Sequence, residues 1–180
     1  MAFRILENVE ICKKQEGFLG SYYSGKVLAA VGINRYIVRY ETRWAECKTR
    51  QLSEVVDADE VRPLPPAISC TNFSMSDKID AYVNNAWWVA KVVQRLDDVR
   101  YFVRLDANGT EFQLPSHKLR IHLDWQDGRW VLPPNTNTIA NSTLSNNSKN
   151  SYLSSFDSGI ILFSNSQLFQ YLTMAFMEAQ

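Results

Sequence analysis

The chain repeats itself. Tyr22-Tyr23-Ser24-Gly25-Lys26-Val27-Leu28 aligns with Trp87-Trp88-Val89-Ala90-Lys91-Val92-Val93 at a shift of 65 residues. The same shift, without a gap, places Arg35-Tyr36-Ile37-Val38-Arg39-Tyr40 on Arg100-Tyr101-Phe102-Val103-Arg104-Leu105. Lys26, Val27, Arg35, Tyr36, Val38 and Arg39 each meet an identical residue. Gln51-Leu52 then matches Gln113-Leu114 at a shift of 62, so short loop deletions separate the copies. The unit is too long for a solenoid repeat and suits a small barrel, which makes this a tandem duplication.

Each copy reads as β. Val9 to Lys13 and Lys78 to Val83 alternate, while Tyr22–Val31 and Trp87–Leu96 are rich in aromatic and β-branched residues. Arg35–Tyr40 and Arg100–Leu105 are short strands, and Ser116–Leu123 has room for one or two helical turns. Turn signals punctuate the strands at Gly17, Gly20, Gly32-Ile33-Asn34, Asn84-Asn85, Asp97-Asp98 and Asn108-Gly109. Asn108-Gly109 is the strongest hairpin signal, because both residues tolerate positive φ. Such short strands and tight turns predict a small curled sheet closed as a barrel. One unit is marginal alone, and two side by side would share a larger core. Arg62-Pro63-Leu64-Pro65-Pro66 reads as a stiff connector that cannot continue a central strand.

Charge divides the chain near Pro134. Residues 1–134 hold 18 of 19 basic and 17 of 19 acidic side chains, leaving only Lys149, Asp157 and Glu178 beyond. From Asn135 to Ser158, 13 of 24 residues are Asn or Ser, the composition of a disordered spacer. The apolar piece that follows has the character of a short C-terminal helix, but Ser164-Asn165-Ser166-Gln167 breaks it before it reaches a membrane span. The organisation expected is a first barrel over 3–66, a second over 70–133, and a spacer with an apolar tail over 134–180.

Cys12, Cys47 and Cys70 are odd in number and widely spaced, so they read as small buried hydrophobes in a reducing compartment. His117 and His122 fit no metal motif. Met1-Ala2-Phe3-Arg4 reaches a charge too soon for a signal peptide, so the expectation is a soluble intracellular protein.

The ordered motifs resemble the plant Agenet domain. In the first copy they are Val9-Glu10-Ile11, Glu16-Gly17-Phe18-Leu19-Gly20-Ser21-Tyr22-Tyr23, Tyr36-Ile37-Val38-Arg39-Tyr40 and Val61-Arg62-Pro63-Leu64-Pro65-Pro66. In the second they are Asp77-Lys78-Ile79-Asp80-Ala81-Tyr82, Trp87-Trp88-Val89-Ala90-Lys91-Val92, Leu119-Arg120-Ile121-His122 and Asp124-Trp125-Gln126-Asp127-Gly128-Arg129-Trp130. The likeness covers about residues 3–133. It implies an all-β fold of two tandem Tudor-like bent barrels of the Royal superfamily. It also implies chromatin association in the nucleus, with a histone tail bearing methylated lysine as partner.

A methylated ammonium is held by cation–π attraction when several aromatic faces surround it. The positions that form the cage in Tudor-like barrels hold Phe18, Tyr23 and Tyr40 in the first copy, with Tyr22 the adjacent aromatic of opposite facing. Glu16 and Glu41 are nearby carboxylates that would favour lower methylation states. In the second copy Val83 and Leu105 answer Phe18 and Tyr40, and only Trp88 is aromatic, so that barrel is assigned to packing and groove formation. Trp125 and Trp130 read as clamps on the barrel ends.

The alternatives are an RNA- or DNA-binding adaptor, or a protein-interaction module without methyl-lysine recognition. Lys13-Lys14 and the stretch Arg43 to Arg50 read as solvated faces or loop that could touch nucleic acid, but the net charge of +0 counts against that. No nucleophile–base pair, phosphate loop or metal spacing is present, so no catalysis, cofactor, metal or small-molecule substrate is expected.

Overall fold

The computed structural model describes residues 2–68, 70 and 72–133. The expectations for the spacer and apolar tail lie outside these residues. The first copy forms β1 (Asn8–Ile11), β2 (Ser21–Val31), β3 (Arg35–Trp44), β4 (Gln51–Asp57) and β5 (Val61–Pro63). The second repeats the series as β6 (Lys78–Val83), β7 (Ala86–Arg95), β8 (Arg100–Leu105), β9 (Glu111–Pro115) and β10 (Leu119–Ile121). A hairpin of β11 (Asp124–Gln126) and β12 (Arg129–Val131) follows. In each copy the last strand returns to the first, β5 to β1 and β10 to β6, which curls the sheet into a barrel.

The turn chemistry explains the connections. Asn84 and Asn85 join β6 to β7 with φ of 50° and 65°, a two-residue left-handed turn whose twist suits a tight hairpin. β2 and β7 carry a bulge at equivalent places, between Val27 and Ala29 and between Val92 and Gln94. An extra residue there bends a long strand so that its two ends serve different parts of the barrel. At Gly25, a Cβ would lie 2.7 Å from the Ile11 side chain and 2.8 Å from the Arg39 carbonyl oxygen, so only glycine lets β1 and β3 approach this closely.

Two cores result. Val9, Ile11, Val27, Tyr36, Val38, Tyr40, Val56 and Val61 fill the first barrel. The second is larger: Phe73, Ile79, Tyr101, Leu105, Leu114, Leu119 and Leu123 are joined by Trp130, which is 1% exposed, with Trp125 packed alongside. The duplication extends into details of packing. Tyr36 meets Phe3 edge-on at 5.5 Å and Tyr101 meets Phe73 edge-on at 5.6 Å, and each phenol accepts a hydrogen bond from that phenylalanine's N–H.

The barrels are one continuous sheet. Ser21 and Tyr22 of β2 pair antiparallel with Trp88 and Trp87 of β7, giving the order β10-β6-β7-β2-β1-β5. Charged side chains close this curved face. Arg62 donates to Glu10 at 2.8 and 3.0 Å and to the Leu123 carbonyl at 2.9 Å. Arg120 lies 2.7 Å from the other Glu10 oxygen and donates to Asp80 at 2.9 Å. His122 sits 2.6 Å from Asp80 and 3.1 Å from Asp124. Burial opposes the charge on Asp80, but His122 and Arg120 hold its pKa below the ordinary carboxylate range. Burial likewise opposes a charged His122, yet the hydrogen bonds to Asp124 and Asp80 prevail and raise its pKa.

Ser116–Leu123 holds one turn as expected, a 3-10 turn at Ser116–Lys118, before Leu119 joins β10. Two expectations need correction. Arg62 and Pro63 form the edge strand β5 rather than part of a stiff connector; Pro63 is tolerated because it ends an edge strand of only three residues. Cys47 is exposed, because it sits in the β3–β4 turn; Cys12 and Cys70 are half-buried, and all three are free. A hydrogen bond from Thr49 to the Cys47 sulfur lowers its pKa to about 7.

Candidate functional site

Phe18, Tyr23 and Tyr40 converge at the mouth of the first barrel. Strand alternation sets Tyr23 opposite Ile11 and on the face of Gly25 and Val27, while Tyr40 pairs with Gly25. Phe18 comes from the β1–β2 loop, folded back by Gly17 and Gly20 at φ of 83° and 76°. The Ser21 N–H and hydroxyl both donate to the Phe18 carbonyl and fix the loop to the start of β2. The ring centroids lie 6.2 Å apart for Phe18–Tyr23 and 6.0 Å for Tyr23–Tyr40, the latter pair edge to face at 87°. Rings set at such angles are inclined to one another rather than stacked, and Tyr40 is fully buried among them.

A cation lies between them. The guanidinium carbon of Arg43 is 5.1 Å from the Phe18 centroid, 5.3 Å from Tyr23 and 4.7 Å from Tyr40. All three distances fall within the roughly 6 Å reach of cation–π attraction. Glu54 completes the group: its Oε1 accepts the Tyr40 hydroxyl and lies 3.7 Å from Arg43 Nη1 and 3.7 Å from Lys13 Nζ. Burial, together with the bond to Glu54, holds the Tyr40 phenol far above its usual pKa range, so it stays neutral.

Sequence reasoning missed Glu54 and Arg43. Glu54 was visible in principle, since it lies opposite Val38 on β4 and so shares the face of Val38 and Tyr40. Arg43 was not. Alternation from Tyr40 would turn it away, but between Arg39 and Trp44 the β3–β4 register slips, and this bulge rotates Arg43 to the side of Tyr40. Glu16 and Glu41 are exposed; the Glu41 backbone carbonyl accepts Gln51 Nε2.

Tyr22 stands apart from the trio. Its ring lies under Arg62, 3.3 Å from the guanidinium carbon to the centroid, and 6.3 Å from the His122 ring. Burial pushes its pKa up to about 12. Facing opposite to Tyr23, it belongs to the junction between the barrels.

The second barrel's equivalent mouth is filled. Val83 and Leu105 are buried in the core, and Trp88 packs against it while donating its indole N–H to the Val83 carbonyl. Phe112 takes the place of Glu54, paired with Val103 as Glu54 is with Val38. A hollow of about 440 Å³ on this barrel, between Met75, Lys91, Arg104 and Asp106, lies away from the cage and has no aromatic lining. It offers no ring to face a cation. Among the described residues no group of three or more His, Cys, Asp or Glu is placed to hold a metal, and no helix is long and apolar enough to cross a membrane.

The family model of the Agenet domain matches residues 6–66. The Arabidopsis thaliana protein AGENET DOMAIN (AGD)-CONTAINING P1 is 31% identical over 125 residues, covering 69% of this chain and 24% of that protein. DUF724 domain-containing protein 3 of Arabidopsis thaliana is 28% identical over 131 residues, 69% of this chain and 19% of its own. The chain thus spans a quarter or less of these relatives. The crystal structure of Arabidopsis thaliana AGDP1 AGD34 superposes with a TM-score of 0.70 at 30% identity, over 73% of this chain and 90% of that one. The ADCP1 tandem Agenet domain 3-4 follows at 0.66 and 28%, over 73% and 88%. With the duplicated strands, the shared sheet and these likenesses in hand, the chain belongs to the plant tandem Agenet domain family.

Proposed function

We propose that this chain is a chromatin-associated, nuclear binding module that recognises a histone tail bearing methylated lysine through Phe18, Tyr23 and Tyr40. The observation that supports it most is the placing of one cation within about 5 Å of three ring centroids. Rings that accept a weakly hydrated guanidinium suit a methylated ammonium for the same reason: neither demands the donors that plain lysine must give up on leaving water. Glu54 gives the cage an acceptor. A mono- or dimethylated lysine keeps an N–H to donate to it and a trimethylated one does not, so lower methylation states are favoured. The second barrel abuts this mouth: Thr42, next to Arg43, donates to the Asn85 carbonyl of the β6–β7 turn at 2.7 Å.

Binding to an array of modified histone peptides tests this reading. The expected result is retention of mono- and dimethyl-lysine peptides above their unmodified forms. Retention that ignores methylation, and falls steeply with salt, would instead favour nucleic-acid or nonspecific electrostatic binding. Much of the basic surface is already paired, Arg95 with Asp98, Arg100 with Asp97 and Arg104 with Glu111, which weakens that alternative.

A further inference from the structure

The cage has an occupant of its own. Three aromatic faces and one carboxylate surround Arg43, whose side chain is 26% exposed. We propose that Arg43 is the resident ligand of this cage, an internal competitor that an incoming methylated ammonium must displace. This rests on the cage reading above and adds to it a threshold that any ligand must exceed.

The backbone suits a side chain that leaves. Arg43 sits in the bulge where β3 and β4 fall out of register, with Arg39 paired to Ser53 and Trp44 next paired to Gln51. Residues 40–43 therefore lack the regular β4 partner that would pin them, while Thr42 and the Glu41 carbonyl are tied by side-chain hydrogen bonds to Asn85 and Gln51. Besides the Tyr40–Gly25 pair these two bonds hold the segment, and among the described residues the Arg43 side chain meets the three rings and Glu54. Beside it Trp44 is 57% exposed, so the displaced guanidinium would enter solvent there.

The energetic consequence is competition. When a binding-competent state is only a fraction of the population, the apparent dissociation constant rises by the inverse of that fraction. All cage ligands pay the same factor, so Arg43 lowers affinity without changing the order of preference among them.

Tetramethylammonium chloride is a probe with no peptide contacts, which separates this inference from the question of the histone partner. It is titrated into the full chain at constant ionic strength while the ring resonances of Tyr23 and Tyr40 are followed by NMR. Arg43→Ala and Arg43→Gln should bind it about tenfold more tightly than the parent chain, the scale of one or two partly exposed cation–π contacts. Adding Tyr23→Ala to Arg43→Ala should abolish that gain. In the parent chain, the Arg43 Nε–H resonance, shifted upfield by the rings, should move to its free position as the probe enters. This last readout needs no variant. Equal or weaker binding by the folded Arg43 variants, or an Arg43 signal that stays put while Tyr23 responds, would overturn the competitor and leave the cage standing. No response in any form would overturn both.

Discussion

The two barrels share five strands, a bulge and a tyrosine–phenylalanine contact, and they differ at the mouth. Where the first has Tyr40, Glu54 and Phe18, the second has Leu105, Phe112 and Val83. The exchange sets rings and a carboxylate around a cation in the first barrel against a closed apolar end in the second. The first barrel also runs β3 through Trp44, ten residues, whereas β8 stops at Leu105 after six. Only the longer strand reaches far enough past the barrel to carry a bulge and Arg43. The second barrel adds a tryptophan hairpin to its core and gains the larger buried cluster. A duplicated fold can thus gather rings and a carboxylate about a cation on one copy while the other closes over its core.

Their joining gives the largest effect. Asp80 is 1% exposed and meets Arg120 and His122, with Arg62 at 3.9 Å. Asp80→Ala takes a buried carboxylate from Arg120 and His122, leaving them Glu10 and Asp124 alone, and breaking buried pairs costs up to about 3–5 kcal/mol. Urea denaturation should show both barrels losing stability together in one transition. Two separated transitions, with the first barrel untouched, would show that the copies are independent.

Trp88→Ala sharpens the contrast between mouths. It removes a partly buried ring from the second core and should cost about 2–4 kcal/mol of stability, with methyl discrimination retained. Tyr23→Ala should do the reverse in emphasis, losing about 1–2 kcal/mol of binding, five- to thirty-fold in affinity. Thermal melts and peptide titrations on both variants check the pair.

The smallest effect is a pH slope from His122. Its pKa is raised in the folded state by Asp124 and Asp80 against the opposing effect of burial. The charged ring contributes its stability below the unfolded value of about 6.5, and that stability is lost as pH rises through the higher folded value. Denaturation midpoints measured across this range should fall with rising pH, and His122→Gln should flatten the slope. A slope unchanged by the substitution would assign it to another group.

The architecture was legible because its signals are local. Alternation, the Asn84-Asn85 turn and the shift of 65 residues give strands, hairpins and duplication directly. Tyr23 and Tyr40 were legible as ring positions for the same reason, since strand period sets their facing. The β2–β7 pairing was not, because which edges meet depends on how two curled sheets come together. Glu10, Arg62, Asp80 and Arg120 look like solvated charges in sequence; they are buried because strands distant along the chain bring them to one place. Arg43 escaped because a bulge breaks the period on which its facing would be read.

The central claim is that methyl-lysine discrimination belongs to the first barrel's mouth. Calorimetric titration of the full chain with a methylated peptide and its unmethylated form, repeated on folded Tyr23→Ala and Trp88→Ala, tests it most directly. The parent chain and Trp88→Ala should both prefer the methylated peptide, while Tyr23→Ala should lose that preference. Equal affinity of the parent chain for the two peptides, or a preference abolished by Trp88→Ala and kept by Tyr23→Ala, would contradict it.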